Sequence, residues 1–210
     1  MKTMGFLRDN AILMPSEMPV AAKAGCFYFE LRRKLIHLFF GIFLVIILIY
    51  SGRTHLIIFL GAALILGIIM ILLMKKGKRI PIADWLEETF ERENVLFTGY
   101  GAFWYVVGAL LLSLFLSSSS EIAAGIVTLA AGDSAATIFG VIGHRRLPYN
   151  RRKTWEGSIA FFVFSLTACL FVGWIGAALA ALASIVESLP APVDDNLLVP
   201  ISAIVFFLLF

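Results

Sequence analysis

Asp133 stands inside an apolar run, Ile122–Ile142, within the stretch Gly-Asp-Ser-Ala-Ala-Thr-Ile-Phe-Gly. A carboxylate buried alone in hydrocarbon is costly, so this position needs a compensating partner such as a metal ion. Just beyond the run lies a loop with five cations in nine residues: Arg145, Arg146, Arg151, Arg152 and Lys153. Guanidinium groups bind phosphate oxygens bidentately and a lysine adds a compact point charge, so the loop suits a phosphorylated ligand. Thr154 and Ser158 can add hydrogen bonds. Gly157 and Ser158 open the next apolar run, where free N–H groups at a helix N-terminus would favour an anion. Lys-Thr-Trp-Glu-Gly-Ser, residues 153–158, is not a Walker loop, because its glycine and lysine stand in the wrong order and no strand precedes it.

The acids that could serve such a ligand are Asp133, Glu156, Glu187, Asp194 and Asp195. Magnesium typically takes one or two carboxylates and draws its other ligands from water and the phosphates themselves. Asp133 with Glu156, Asp194 or Asp195 would therefore suffice for Mg2+. Glu187 also suits a side chain snorkelling at a helix end, and Asp194-Asp195 also suits a cap for the helix that runs on from Leu197; both readings stay open. Near the start, Arg33 and His37 are four residues apart and share one face of a helix, which makes them further candidates for phosphate contact. His55 and His144 have no comparable setting.

These residues must be held by membrane-spanning helices. The chain is 60% apolar with a mean hydropathy of +0.95, where soluble domains have roughly half their residues apolar. A helix of about 20 apolar residues crosses a bilayer. Spans are expected near Leu35–Tyr50, His55–Met74, Phe97–Leu116, Glu121–Gly143, Ser158–Trp174, Ile175–Leu189 and Leu197–Phe210. The expected fold is an all-α, polytopic membrane bundle of six or seven helices, some of them short or broken. Alternating the spans puts Arg32–Lys34, the basic residues of 75–92 and the five loop cations on one side, while the opposite loops hold only Arg53. The positive-inside rule assigns the basic side to the cytoplasm of a cell membrane or an ER-type membrane.

Residues 1–29 read as an interfacial segment without the hydrophobic core and cleavage site of a secretory signal. Residues 30–210 read as the membrane-embedded domain. Within it, 75–96 has Ile82, Trp85, Leu86 and Phe90 at helical spacing with acids between them, which predicts an interfacial helix, and 144–157 is the phosphate loop. Cys26 and Cys169 are far apart and imply neither a disulfide framework nor a zinc site. The basic residues sit at the ends of apolar runs rather than along an arm, so no nucleic-acid footprint is present.

In order along the chain, Arg-Arg-Lys-Leu-Ile-His (32–37), the Asp133 stretch, Lys-Thr-Trp-Glu-Gly-Ser and Glu187 to Pro200 resemble the diacylglycerol/polyprenol kinase family. That family includes dolichol kinase and phytol kinase and is related to the phosphatidate cytidylyltransferases. The resemblance implies a multi-pass enzyme that phosphorylates a membrane lipid alcohol, commonly with CTP and a divalent cation. The longer cytidylyltransferase signature, with a histidine and paired glycines before an Asp-Arg near the C-terminus, is absent here.

On these grounds the expected reaction transfers the γ-phosphoryl group of a nucleoside triphosphate to a lipid hydroxyl, with a polyprenol or dolichol as the first choice of acceptor. Phytol, geranylgeraniol and diacylglycerol are alternatives. In this scheme Asp133 is catalytic, Lys153 neutralises the triphosphate and Asp195 accepts the hydroxyl proton. A cytidylyltransferase making a CDP-lipid and an ion-coupled transporter are the rival readings.

Overall fold

The computed structural model describes residues 20–78, 81, 85, 89, 90 and 96–210, and side chains from Ala24 onward. The first element, α1 (Val20–Lys75), is broken at Gly52, whose φ of 84° lies in the left-handed region that glycine adopts without a Cβ penalty. Its two arms fold back on each other there. Phe43 and Phe59 meet across the hairpin with ring centroids 5.6 Å apart, and Arg53 ties the turn to the end of the next helix by donating to the carbonyls of Ser113 and Leu114.

The chain continues as α2 (Tyr100–Phe115), α3 (Ser119–Val127), a π-turn (Thr128–Gly132), α4 (Asp133–Ile142), α5 (Trp155–Ser165), a 3-10 turn (Leu166–Ala168), α6 (Cys169–Val172), α7 (Ile175–Ser188) and α8 (Asp195–Leu209). No strand is present among the described residues; one isolated bridge joins Arg146 and Thr154. The molecule is an all-α membrane bundle, as the hydropathy pattern predicts. In hydrocarbon, helices satisfy their own backbone polar groups, and that is why so apolar a chain takes this form.

Ala24–Lys75, Ser119–Ile142 and Trp155–Val172 are long and apolar enough to cross a membrane, and α2, α7 and α8 are shorter apolar helices. Ser119–Ile142 is the central element, with 61% of its apolar window buried against 11% for α1. Around it a core forms from Leu44 and Leu56 of the two α1 arms, Leu112 of α2, Phe161 of α5, Leu179 of α7 and Val199 of α8. Exposed Ile46, Ile58, Leu66 and Leu72 leave the outer faces of α1 apolar, as a lipid-facing surface requires.

Two sequence expectations meet different outcomes near the N-terminal end. The membrane helix α1 already begins at Val20, so the boundary drawn at residue 30 falls inside a helix rather than between segments. Residues 1–19 and most of the expected interfacial helix, including Ile82, Leu86 and the acids at 84, 87, 88, 91 and 93, lie outside the described residues. Of that segment, Trp85 and Phe90 pack edge to face at 5.8 Å, and Arg32 donates to the Thr89 carbonyl at 2.6 Å.

Candidate active site

The central helix changes phase just before Asp133. The π-turn inserts at Thr128–Gly132, so Asp133 starts α4 with a register different from that of α3. Gly132 lets α5 approach there: a Cβ at this position would meet Ser165 Oγ and Phe161, the latter at 2.9 Å. Asp133 is thereby held in the interior, only 5% exposed.

The partner that its burial demands is Lys34, itself 3% exposed, whose Nζ donates to Asp133 Oδ2. His37 Nε2 lies 3.2 Å from the same oxygen, and Ser134 Oγ donates to the Lys34 carbonyl at 3.1 Å. Sequence reasoning singled out Arg33 and His37 on this helix and passed over Lys34. Its signal was a lysine three residues before His37, on the same helical face, with the family-like stretch around it. Arg33 instead pairs with Glu30 at 2.7 Å.

A second ionic cluster gathers around Lys153. Its ammonium donates to Glu187 Oε1 at 2.8 Å, to Asp195 Oδ2 at 2.9 Å and to the Glu187 carbonyl. Burial opposes the charge on Lys153, but the carboxylates of Glu187 and Asp195 outweigh it and hold the pKa above the usual 10.5. Lys153 is therefore a fixed cation of the site, held between Glu187 and Asp195. The loop carrying it is pinned to the end of α7 by Asn150 Nδ2 donating to the Ser188 carbonyl at 3.0 Å and by Tyr149 Oη, 2.9 Å from Ser188 Oγ. The side chain of Asp194 caps α8 by accepting from the Asn196 N–H, and burial, with the nearby Asp133 charge adding to it, raises the Asp194 pKa.

Both clusters open on one cavity of 680 Å³. Asp133, Arg151, Arg152, Lys153, Thr154, Gly157, Ser158, Asp194 and Asp195 line it, together with Arg33 and Lys34. Elements far apart in sequence thus bring most of the predicted site residues to one place. Among the described residues, Arg151 and Arg152 line the cavity and form no ion pair, so their guanidinium groups have no carboxylate partner.

Some predicted residues serve other ends. Glu156 is not among the lining residues: its carboxylate accepts from the backbone N–H groups of His144 and Arg145 at 3.0 and 3.2 Å, so it shapes the loop. Arg145 and Arg146 also lie off the cavity wall, where their backbones close the turn through Trp155 N–H to the Arg145 carbonyl and the bridge between Arg146 and Thr154. The N-terminus of α5 does not offer the expected free N–H groups. Thr154 Oγ1 accepts from Gly157 and the Thr154 carbonyl from Ser158, each at 3.1 Å, because Thr154 is an N-cap. His37 faces a different cavity.

Among the described residues no group of three or more His, Cys, Asp and Glu side chains is clustered as a metal site. Asp133, Asp194 and Asp195 line the cavity, two of them paired with lysines, so a divalent cation there would draw most of its coordination from phosphate oxygens and water.

The chain is 34% identical over 174 residues to an uncharacterized protein of Methanocaldococcus jannaschii, a match covering 81% of this chain and 88% of that one. It is 31% identical over 200 residues to phytol kinase 1, chloroplastic, of Arabidopsis thaliana, covering 83% of this chain and 64% of the plant protein. With the probable phytol kinase, chloroplastic, of Triticum aestivum the identity is 31% over 208 residues, covering 86% and 68%. No family model matches the chain, and no solved structure matches it significantly. An extended likeness to several phytol kinases, on a membrane bundle that draws its ordered motifs into one charged cavity, shows that the chain belongs to the phytol kinase-like family of lipid kinases.

Proposed function

We propose that this protein transfers the γ-phosphoryl group of a nucleoside triphosphate, CTP by family resemblance, to the hydroxyl of an isoprenoid alcohol of the phytol type. The observation that carries the reading is the 680 Å³ cavity in which Asp133, Asp194 and Asp195 share a wall with Arg151, Arg152 and Lys153. The names of the relatives move the choice of acceptor from a polyprenol or dolichol to phytol.

Phosphoryl transfer through a loose transition state asks the protein for positioning and charge neutralisation more than for covalent chemistry. Arg151 and Arg152 bind the triphosphate oxygens and Lys153 marks the inner limit of that charge. Asp194 and Asp195 are the residues that would hold Mg2+, which supplies neutralisation of the phosphate charge when bound. The alcohol oxygen forms the new bond to the γ-phosphorus. The bond from that phosphorus to the bridging oxygen breaks, and nucleoside diphosphate leaves with the electron pair. The hydroxyl proton passes to a carboxylate. The sequence pointed to Asp195 for this step; Asp195 is paired with Lys153 and Asp133 with Lys34, but Asp133 alone lies beside His37, which lines the neighbouring apolar cavity. On that proximity we assign the proton acceptor to Asp133, with Lys34 balancing its charge. The charge of the basic loop supports a site on the cytoplasmic side by the positive-inside rule.

The test is turnover by purified protein in detergent or nanodiscs, with CTP, ATP, GTP and UTP each offered with phytol, geranylgeraniol, dolichol and diacylglycerol. Mass spectrometry should find phytyl monophosphate and nucleoside diphosphate in equal amounts. Release of pyrophosphate with a CDP-lipid, or no turnover of any triphosphate, overturns the proposal.

A further inference from the structure

A second cavity of 500 Å³ adjoins the first. Ile36 and Phe40 of the first α1 arm, Gly67 and Met70 of the second, and Phe103 of α2 give it an apolar lining. Two buried polar atoms without a hydrogen-bond partner belong to residues on its wall, Tyr105 Oη and Asn196 Oδ1, and His37, whose Nε2 lies 3.2 Å from Asp133 Oδ2, lines the same wall. Tyr105 is 2% exposed and Asn196 7%, so water does not readily satisfy them. His37 and Tyr105 sit edge to face with ring centroids 4.1 Å apart, so His37 links the orphaned Tyr105 to Asp133 of the charged cavity. Buried polar groups are normally paired, and orphans gathered in one apolar cavity mark a place where a ligand brings the missing hydrogen bonds.

What that ligand is follows from the wall the two cavities share. Arg33, Asp194 and Asn196 line both. A molecule in the second cavity therefore has its polar end beside the charged cavity and its body among Ile36, Phe40, Met70 and Phe103. The volume lies within the range of about 300–1,000 Å³ typical for one small ligand, of the size of a single isoprenoid chain. We infer that this cavity is the acceptor site: it holds one isoprenoid chain, and His37, Tyr105 and Asn196 hold its hydroxyl. The assignment rests on the lipid kinase reading for its chemistry, and it moves His37 from the phosphate ligands to the alcohol ligands.

Gly67 is the position from which chain length is limited. A Cβ there meets nothing within 4 Å, so a larger side chain can grow into the cavity without displacing a neighbour. The experiment uses the full-length protein in nanodiscs and a phytol analogue carrying a diazirine at the end of the chain remote from the hydroxyl, with crosslinks assigned to single residues. Label is expected at Met70 and Phe103, suppressed by excess phytol and not by excess dioleoylglycerol. Gly67→Trp should lower that labelling and the preference for phytol over the shorter geraniol by about tenfold or more, the scale on which apolar pockets discriminate by size. Tyr105→Phe should raise KM for phytol about fivefold, the equivalent of one hydrogen bond, with KM for the triphosphate unchanged and no loss of thermal stability.

Label spread over the outer faces of α1, equal suppression by dioleoylglycerol, or a Gly67→Trp protein with unaltered selectivity overturns the acceptor site. If phytol is phosphorylated while any of these holds, the kinase reading stands without it. If no triphosphate is turned over but phytol-competed label lands on Met70 and Phe103, the kinase reading fails and the site stands as a binding site.

Discussion

Lys34→Met isolates the cost of leaving Asp133 uncompensated. Both groups are almost wholly buried, at 3% and 5% exposure, and Lys34 Nζ donates directly to Asp133 Oδ2. Removing one partner of a buried pair typically costs about 3–5 kcal/mol, because the remaining charge stays desolvated. Here the pair borders a 680 Å³ polar cavity from which water can reach the orphan, so the lower end, about 3 kcal/mol, is expected. For a chain of this size that corresponds to a fall in melting temperature of roughly 6–12 °C. Cys26 is buried and Cys169 only partly so; with Cys169 replaced by Ser in every variant compared, a thiol-reactive dye added during a thermal ramp in detergent reports the transition. The double variant Lys34→Met/Asp133→Leu replaces the pair by apolar side chains and should recover most of the lost stability while staying inactive. A single variant that melts like the unaltered protein, or a double variant that melts no higher than the single one, refutes the argument that Lys34 is the charge partner of Asp133.

Asp133→Asn keeps the shape and removes the charge, so turnover should fall by at least about a hundredfold in the phosphorylation assay while the protein still purifies as a folded monodisperse species. Lys153→Met should raise KM for CTP about tenfold to a hundredfold, the scale of a charge-assisted hydrogen bond, in steady-state kinetics. Since the pKa of Lys153 is raised in the folded protein, its contribution to stability is fully present below 10.5 and is lost only as pH climbs through the higher folded value; melting curves at neutral and mildly alkaline pH should show no Lys153-dependent change. Gly157→Ala places a Cβ 2.8 Å from the Ala136 carbonyl oxygen and 3.2 Å from Gly140 Cα, backbone that cannot swing aside, so α4 and α5 should separate at a cost of about 1–3 kcal/mol, read as a lowered melting temperature. Chelation of divalent cations by EDTA should abolish turnover and excess Mg2+ restore it, with Asp194→Asn and Asp195→Asn raising the Mg2+ concentration needed.

Local pattern carried much of this protein. Long apolar runs interrupted by short polar turns specify membrane helices regardless of what they pack against, so helices lie where the hydropathy places spans, and Asp133 and Lys153 stand out because a charge inside or beside such a run needs a reason. Gly52 was legible only as a glycine between two spans. Its role as the hinge of α1 depends on a backbone angle that the packing of the two arms imposes.

Tertiary structure decided which charges meet. Lys34 and Asp133 are 99 positions apart and Lys153 and Asp195 42, separations at which no periodicity links one residue to another. Spacing alone gave Glu156 the same standing as Asp194, yet Glu156 turns back to cap its own loop while Asp194 faces the cavity. The same holds for Gly157 and Ser158, whose N–H groups are satisfied by Thr154, and for Tyr105 and Asn196, ordinary helical residues in the sequence that become unsatisfied polar atoms only when α2 and α8 close around them. Gly108 allows that closure by letting α2 reach the Asn196 carbonyl, which Pro200, lacking an N–H, leaves without its helical donor. Hydropathy is a property of segments and survives any arrangement of them; pairing of charges and shape of cavities are properties of the arrangement, and they exist only once the helices have packed.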